Sequence, residues 1–125
     1  MTAILVLGAH PDTSRFANKA MRLLKSHGFD PIPINPRFEK VMESRCYASV
    51  AEWMQESGEK SADTVTLYLS RIHSSKIQSE LLDLKPRRVI FNPGAENSEL
   101  ENALKKIGSE VVEGCTLVML NAGSF

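Results

Sequence analysis

Near its start the chain reads Ala3-Ile4-Leu5-Val6-Leu7-Gly8, a continuous apolar run that ends in glycine. A strand that is buried on both faces of a parallel sheet has such a run, whereas a half-exposed strand alternates apolar and polar residues. The segment after Gly8 contains a proline and predicts a loop. Apolar residues then recur at helical spacing over Ser14–His27, and Gly28 stands where this helix would end. Residues 3–28 therefore predict a strand, a loop and a helix.

The rest of the chain repeats this alternation. Further strands are predicted at Pro31–Asn35, Asp63–Leu69, Arg88–Asn92 and Glu110–Val112, and further helices from Ser49, at Ser70–Leu82, at Ser98–Ile107 and at Thr116–Leu120. The two prolines of the second strand each remove a donor from the strand ladder. Strands that alternate with helices form a parallel sheet covered on both faces. The sequence therefore predicts one α/β domain over residues 1–125, a three-layer, doubly wound, five-stranded parallel sheet of Rossmann-like type.

The balance of charge limits the partners of the chain. Among 125 residues, 15 are Lys or Arg and 15 are Asp or Glu, so the formal net charge is zero. A nucleic-acid-binding protein would have a broad basic face, so we expect no nucleic acid partner and only a local site for an anion. The longest apolar runs fall short of the roughly 20 residues that span a membrane. The N-terminus lacks the pattern of a signal peptide, which predicts a cytoplasmic protein with no membrane partner.

The two cysteines, Cys46 and Cys115, provide neither a disulfide framework nor a metal site. Free thiols suit a reducing compartment, and the three histidines have no spacing typical of metal ligands. Cys115 follows Gly114 at a predicted helix start, where a thiol can have a lowered pKa. It is either a small buried residue or the nucleophile of an enzyme that acts on acyl thioesters. Since the sequence has no evident acid–base pair, we expect no catalytic residues and a protein that is not an enzyme.

The loop after the first strand is a candidate phosphate site. In open parallel sheets, ligands bind beyond the carboxyl ends of the strands, and N–H groups at a helix start can hold phosphate. Gly8 would permit close approach of a pyrophosphate or would merely end the strand, and His10 could donate to an oxygen. Ser14 is the predicted N-cap of the helix. Arg15 would contact phosphate or extend into solvent.

The end of the second strand discriminates between nucleotides. An NAD-binding protein places Asp or Glu there for the ribose hydroxyls, but this chain has Asn35-Pro36-Arg37 and no carboxylate before Glu39. An arginine suits a ribose that carries a phosphate, which is the 2′-phosphate in NADP and the 3′-phosphate in coenzyme A. These residues do not distinguish between NADP and coenzyme A. They are also compatible with a surface turn in which Arg37 contacts only water.

Five segments, in order and at compatible spacings, resemble the small stand-alone CoA-binding domain family, which shares its fold with the CoA-binding domain of succinyl-CoA synthetase α subunits. The similar segments are Leu7-Gly8-Ala9-His10-Pro11, Gly28-Phe29 through Pro33-Ile34-Asn35-Pro36, Cys46-Tyr47-Ala48-Ser49-Val50, Asn92-Pro93-Gly94 and Gly114-Cys115. Three positions depart from the family pattern. His10 replaces a small serine, Leu69 stands where arginine is common, and Asn18 replaces an aromatic residue.

The resemblance implies a non-catalytic module that holds the ADP part of coenzyme A. It assigns the pyrophosphate to Gly8, Ala9, His10 and Arg15, the 3′-phosphate region to Asn35, Pro36 and Arg37, and the adenine or pantetheine border to Leu69 and Ser70. The ligand would be CoA or an acyl-CoA, and the chain would act as a homo-oligomer or with a partner subunit. The alternatives are a redox-sensing module that binds NADP or NAD and a thioester enzyme that uses Cys115.

Overall fold

Five parallel strands form the central sheet of the protein. The structure is a computed structural model, and it describes residues 2–125. Along the chain the elements are β1 (Ile4–Leu7), α1 (Phe16–Ser26), β2 (Pro31–Ile34), β3 (Lys40–Val41), β4 (Ser44–Arg45), α2 (Val50–Ser57), β5 (Thr64–Leu67), α3 (Arg71–Lys76), α4 (Gln78–Leu84), β6 (Arg88–Phe91), α5 (Ser98–Lys106), β7 (Glu110–Glu113) and α6 (Thr116–Ala122). The strand order is β2-β1-β5-β6-β7. Because the order reverses direction at β1, the sheet is doubly wound, and the predicted α/β Rossmann-like fold is confirmed.

Helices cover the sheet on both faces. Leu5 and Leu7 belong to a core that includes residues of α2, α4 and α5, whereas Ile4 and Val6 belong to a second core formed with α1 and α6. Successive side chains of a strand point to opposite faces, so these two sets lie on opposite sides of β1. The continuous apolar run at the start of the chain follows from this burial on both faces.

The prolines of β2 lie where a strand tolerates them. Gly8 of the neighbouring strand end donates its N–H to the Ile34 carbonyl at 3.0 Å, while the Pro33 carbonyl accepts from Tyr47 N on the other side at 3.0 Å. The N and carbonyl of one residue point to the same side of a strand, so Pro31 and Pro33 direct their nitrogens away from β1. The missing donors therefore fall at the outer edge of the sheet, where no ladder needs them.

The prediction of one continuous helix over Ser70–Leu82 is wrong. Two helices, α3 and α4, occupy this region and meet at Ile77, which has φ −110° and ψ 14°. The Ile77 N–H donates to Ser74 O in a tight turn, and the side chain packs against the larger core. The core contact of one residue thus interrupts a segment whose composition is helical throughout.

A short antiparallel hairpin, β3–β4, was not predicted. Its turn residues Met42 and Glu43 have φ of 52° and 68°. Such turns usually carry Asn or Gly, which tolerate positive φ, and neither is present here. Val41 fixes the hairpin from below, since it is buried in the core beside α1.

Candidate functional site

An open cleft of about 480 Å³ lies at the carboxyl ends of β1, β2 and β5. The strand order changes direction at β1, so the cleft lies at the place where doubly wound sheets bind ligands. Its walls are Leu7, Gly8, His10, Arg15, Ile34, Asn35, Pro36, Arg37, Ala48, Ser49, Val50, Tyr68, Leu69, Ser70, His73 and Ile77.

Most of the residues predicted from the sequence meet in this cleft. The walls include Gly8, His10, Arg15, Asn35, Pro36, Arg37, Leu69 and Ser70. Two predicted residues do not reach it. Ala9 is fully buried in the core beside α1, and Ser14 lies outside the cleft on the loop surface.

Gly8 is enclosed by the protein itself. Its φ is +88°, and a Cβ at this position would lie 2.8 Å from the carbonyl oxygen of Tyr68. Glycine is therefore required by the turn at the end of β1 and by the close approach of β5. The sequence left open whether Gly8 is needed for the approach of a ligand or only to end the strand. The positive φ and the nearby Tyr68 carbonyl oxygen are enough to require glycine without any ligand.

Internal hydrogen bonds shape the loop between β1 and α1. An Asp12 carboxylate oxygen accepts from Ser14 N at 2.9 Å and from Ser14 Oγ at 2.7 Å. These bonds from Ser14 lower the pKa of Asp12. The predicted N-cap role of Ser14 is wrong, because the N-cap of α1 is Arg15 and no side chain accepts a hydrogen bond from the helix start. The amino end of α1 thus remains uncapped beside the cleft.

His10 has a defined tautomer. Its Nδ1 accepts a hydrogen bond from Asp12 N at 3.0 Å. A backbone N–H can only donate, so the proton of the neutral ring resides on Nε2. The ring also packs edge-on against Phe38, with 4.8 Å between the ring centroids. His10 is therefore oriented as a donor at the edge of the cleft.

Asn18 supports this loop from below, a role that sequence analysis missed. The side chain is fully buried, donates to His10 O at 2.8 Å and accepts from Arg22 Nε at 2.9 Å. The only sequence signal was a polar residue on the buried face of α1. The departure from the aromatic residue of the family pattern thus gives a loop anchor in this chain.

The other arginine of the cleft is held by the turn after β2. Asn35 donates through Nδ2 to Ala9 O at 2.8 Å and accepts from Arg37 N at 2.9 Å. Asn35 therefore joins the loops after β1 and β2. The Arg37 side chain is exposed, and its guanidinium carbon lies 5.5 Å from the centre of the Phe38 ring.

Neither cleft arginine is neutralised by the protein. The ion pairs within residues 2–125 involve Arg45 and Arg87, with no carboxylate within 4.0 Å of Arg15 or Arg37. Two unpaired cations on one cleft favour an anionic ligand with at least two charged groups.

The start of α3 forms the opposite wall. Ser70 Oγ and His73 Nδ1 are 2.9 Å apart, and both residues line the cleft. The sequence predicts His73 only as part of the helix over Ser70–Leu82, because its neighbours along the chain give no indication of a cleft. Arg71, which follows two residues after Leu69, does not line this cleft and instead lines a separate surface depression with Asn97.

Cys115 is the N-cap residue of α6 and lines a second, smaller cavity of about 190 Å³. Beneath it, Asn92 Nδ2 donates to Thr66 Oγ1 at 2.8 Å, and Asn92 Oδ1 accepts from Thr116 N at 2.9 Å. The Thr66 and Thr116 hydroxyls are 2.7 Å apart. The described residues that line this cavity include no histidine or carboxylate that could serve Cys115 as a base.

Within residues 2–125, no three His, Cys, Asp or Glu side chains are arranged to hold a metal ion. In the same part of the chain, every helix is too short or too polar to cross a bilayer. Both cysteines are free thiols.

Comparison with known proteins bears on the family and the fold of the chain. The family model described as CoA binding domain matches residues 2–121. No curated protein matches the chain. Among solved structures, an uncharacterized protein is 43% identical over 100% of this chain and 98% of its own, with a TM-score of 0.86. A Thermus thermophilus protein, cell-free ID.343, is 31% identical over 99% of this chain and 90% of its own, with a TM-score of 0.85.

A larger protein shares the fold alone. The dinucleotide forming acetyl-coenzyme A synthetase 1 of Ca. Korarchaeum cryptofilum, solved with phosphate and ADP, is 22% identical, with a TM-score of 0.73. The alignment covers 90% of this chain and 25% of the synthetase. The family model spans nearly the whole sequence, and the Rossmann-like fold agrees with it. The chain therefore belongs to the CoA binding domain family.

Proposed function

We propose that this protein is a non-catalytic module that binds coenzyme A in the cleft at the carboxyl ends of β1, β2 and β5. One observation carries the proposal: Arg15 and Arg37, both without a carboxylate partner, line the same cleft from two different loops. Coenzyme A has a pyrophosphate and a separate 3′-phosphate, so its charges match two separate cations.

In this assignment the pyrophosphate lies against the loop between β1 and α1. The uncapped start of α1 offers backbone N–H groups, Arg15 offers its guanidinium, and His10 offers Nε2–H. Arg37 contacts the 3′-phosphate, and Asn35 and Pro36 hold it in position through the turn after β2. Leu69 and Ser70 border the adenine or pantetheine.

A titration with four nucleotides tests this assignment. We expect coenzyme A to bind roughly tenfold more tightly than dephospho-CoA, because one charge-assisted contact contributes about 1.5–3 kcal/mol before solvent screening. Isothermal calorimetry of the purified protein with CoA, dephospho-CoA, NADP and NAD measures this ratio. In Arg37→Gln the ratio falls close to one, while Arg71→Gln, an exposed arginine outside the cleft, leaves it unchanged.

Two results would contradict the proposal. Equal affinity for CoA and dephospho-CoA in the wild type would remove the role of Arg37. Tighter binding of NADP than of CoA would favour the alternative of an NADP-binding redox module, whose 2′-phosphate Arg37 could equally contact.

The setting follows from the same features. Free thiols at Cys46 and Cys115 suit the reducing cytoplasm, where we place the protein. A module that holds CoA without a catalytic group needs a second active component, so we expect it to act with a partner subunit or as a homo-oligomer.

A further inference from the structure

Two side chains of α1 hold the loop between β1 and α1 by its carbonyl oxygens. Asn18 Nδ2 donates to His10 O at 2.8 Å, and a terminal guanidinium nitrogen of Arg22 donates to Thr13 O at 2.8 Å. Arg22 Nε also donates to Asn18 Oδ1 at 2.9 Å, so the two side chains form one continuous set of hydrogen bonds. Asn18 and Arg22 are called the loop clamp below, since they join both halves of the loop to the same helix.

Each hydrogen bond of the loop clamp has a single possible direction. A guanidinium can only donate, and a backbone carbonyl can only accept. Arg22 Nε therefore fixes Oδ1 of Asn18 as an acceptor, which leaves Nδ2 to donate to His10 O. Asn18 is fully buried, so a reversed amide would leave buried polar atoms without partners. An exposed arginine one turn further along α1 thus sets the orientation of a buried amide.

Other carbonyl oxygens of this loop are also bound to donors of the protein. Ala9 O accepts from Asn35 Nδ2 at 2.8 Å, and Asp12 O accepts from Arg15 N at 3.1 Å. A phosphate group is attracted by N–H groups and repelled by the negative ends of peptide dipoles. Because these oxygens are directed at donors of the protein, they are not free to face a bound anion.

The donors proposed for the pyrophosphate lie on the segment that the clamp holds. His10 carries Nε2–H in the first half of the loop, and Arg15 is the N-cap residue of α1. Both residues line the cleft, whereas Asn18 and Arg22 do not. The clamp can therefore act on a ligand only through the residues that it holds in place.

We propose that Asn18 and Arg22 are positioning residues of the pyrophosphate site, which hold the loop in its ligand-binding conformation before a ligand arrives. The inference rests on the proposed function, since it concerns the same pyrophosphate contacts. A loop that is ordered in advance loses less conformational entropy on binding, so the clamp raises the affinity without touching the ligand. Its removal should weaken the contacts of the β1–α1 loop and leave that of Arg37 unchanged, because the turn after β2 holds Arg37.

Asn18→Leu is the first test, because leucine has the same branching as asparagine but removes both hydrogen bonds of the amide. We expect its affinities for CoA and dephospho-CoA to fall together by roughly 5- to 20-fold, which is the effect of ordering about one further residue on binding. The ratio of the two affinities should keep its wild-type value. Isothermal calorimetry measures both affinities and the ratio.

Two results with this variant would overturn the inference. Wild-type affinities in Asn18→Leu would show that the residue has only a structural role, whatever the change in stability. A ratio that falls toward one would place the effect at the 3′-phosphate rather than at the pyrophosphate.

Arg22→Met tests the clamp at an exposed position, where the substitution does not disturb the core. It should lower both affinities in the same way, by roughly 3- to 10-fold. Lys19→Met is the matched control. It removes the same charge from the same helix, but the Lys19 ammonium lies over the Phe16 ring at 5.1 Å. The control should bind within about twofold of the wild type. Equal losses in the two variants would show that only the charge of α1 matters and would overturn the inference.

Amide hydrogen exchange separates the inference from the proposed function, because it needs no ligand. Ser14 N donates to an Asp12 carboxylate oxygen, and Arg15 N donates to Asp12 O. We expect both amides to exchange several-fold faster in ligand-free Asn18→Leu than in the wild type. Equal exchange in the two proteins would overturn the inference and leave CoA binding intact. Failure of the wild type to bind either nucleotide would instead overturn the proposed function, and the inference with it.

Discussion

Gly8 is subject to two separate constraints. Its φ of +88° disfavours any side chain, and the Tyr68 carbonyl oxygen occupies the space that a Cβ would need. Gly28 has a nearly identical φ of +87° but no atom within 4 Å of the same position. A comparison of the two glycines separates backbone strain from steric overlap. A side chain at Gly28 would cause backbone strain alone, whereas a side chain at Gly8 would cause both strain and overlap.

We therefore expect Gly8→Ala to cost more stability than Gly28→Ala. A left-handed alanine costs roughly 1–2 kcal/mol at either site, and overlap with a strand backbone adds roughly 1–3 kcal/mol at Gly8. Urea unfolding of both variants measures the difference. Equal losses would show that the end of β5 moves away without cost.

The residues of the site differ in how well their roles can be predicted from the sequence. Arg15 and Arg37 directly follow the loop and strand that the sequence predicts, so their meeting in one cleft could be anticipated. Asn18 and His73 could not, because their roles depend on which neighbours the fold brings to them. Whether the two arginines hold phosphate stays a prediction until ligand is titrated.

At the scale of elements, the strands were the most predictable part. Each of β1, β5 and β6 is buried on both faces, so its apolar or β-branched composition, except for Arg88 at the start of β6, follows directly from its place in the sheet. The β3–β4 hairpin and the break at Ile77 were not predictable, since both depend on contacts with distant parts of the chain. Local composition does not encode such contacts.

The helix α6 is attached to the sheet by a buried polar network. Asn92, 1% exposed, accepts from the first residue of α6, Thr116, and donates to Thr66 and to Leu67 O. Since the Cys115 N-cap side chain makes no capping hydrogen bond, Asn92 satisfies the helix start in its place. This bond also fixes the position of Cys115 at the cavity.

We expect Asn92→Ala to destabilise the protein by about 2–4 kcal/mol, because it leaves Thr116 N and Thr66 Oγ1 short of partners and opens a small void. Alkylation of Cys115 in the folded protein should become faster as the start of α6 is released. The control is Asn121→Ala, an exposed position of the same helix, which should change neither property. An unaltered alkylation rate in Asn92→Ala would show that Asn92 does not position the thiol.

At the scale of the molecule, the two edges of the sheet differ in composition. The carboxyl edge holds the cleft with its unpaired arginines, whereas at the amino edge Arg87 pairs with Asp63 through bonds of 2.7 and 3.1 Å. The same arginine approaches Glu110 at 3.7 Å and so links the starts of β5, β6 and β7. We infer that the amino edge serves stability and the carboxyl edge serves ligand binding.

Asp63→Asn should therefore reduce stability without changing CoA affinity. The hydrogen bond from Arg87 is the largest cause that lowers the pKa of Asp63. A lowered pKa contributes stability above the unfolded value, which is 3.8, and this contribution is lost as the pH falls through the folded value. Since the Arg87 side chain is 58% exposed, we expect a loss under about 1 kcal/mol at pH 7, which disappears once the pH has fallen below the lowered pKa of Asp63.

Glu101 provides a comparison for Asp63, because its pKa is shifted in the opposite direction and its ionisation therefore has the opposite effect on stability. It is buried beside Glu113, and burial is the main cause that raises its pKa above 4.5. Its ionisation therefore costs stability as the pH rises through the folded value, so Glu101→Gln should stabilise the protein at pH 7 and match the wild type below about pH 4. In the wild type, Asn97 N donates to a Glu101 carboxylate oxygen at 3.0 Å, and the side-chain oxygen of Gln can accept the same hydrogen bond. Urea unfolding across pH 3–8 measures both variants, and stability curves that shift in the same direction at pH 7 would contradict these assignments.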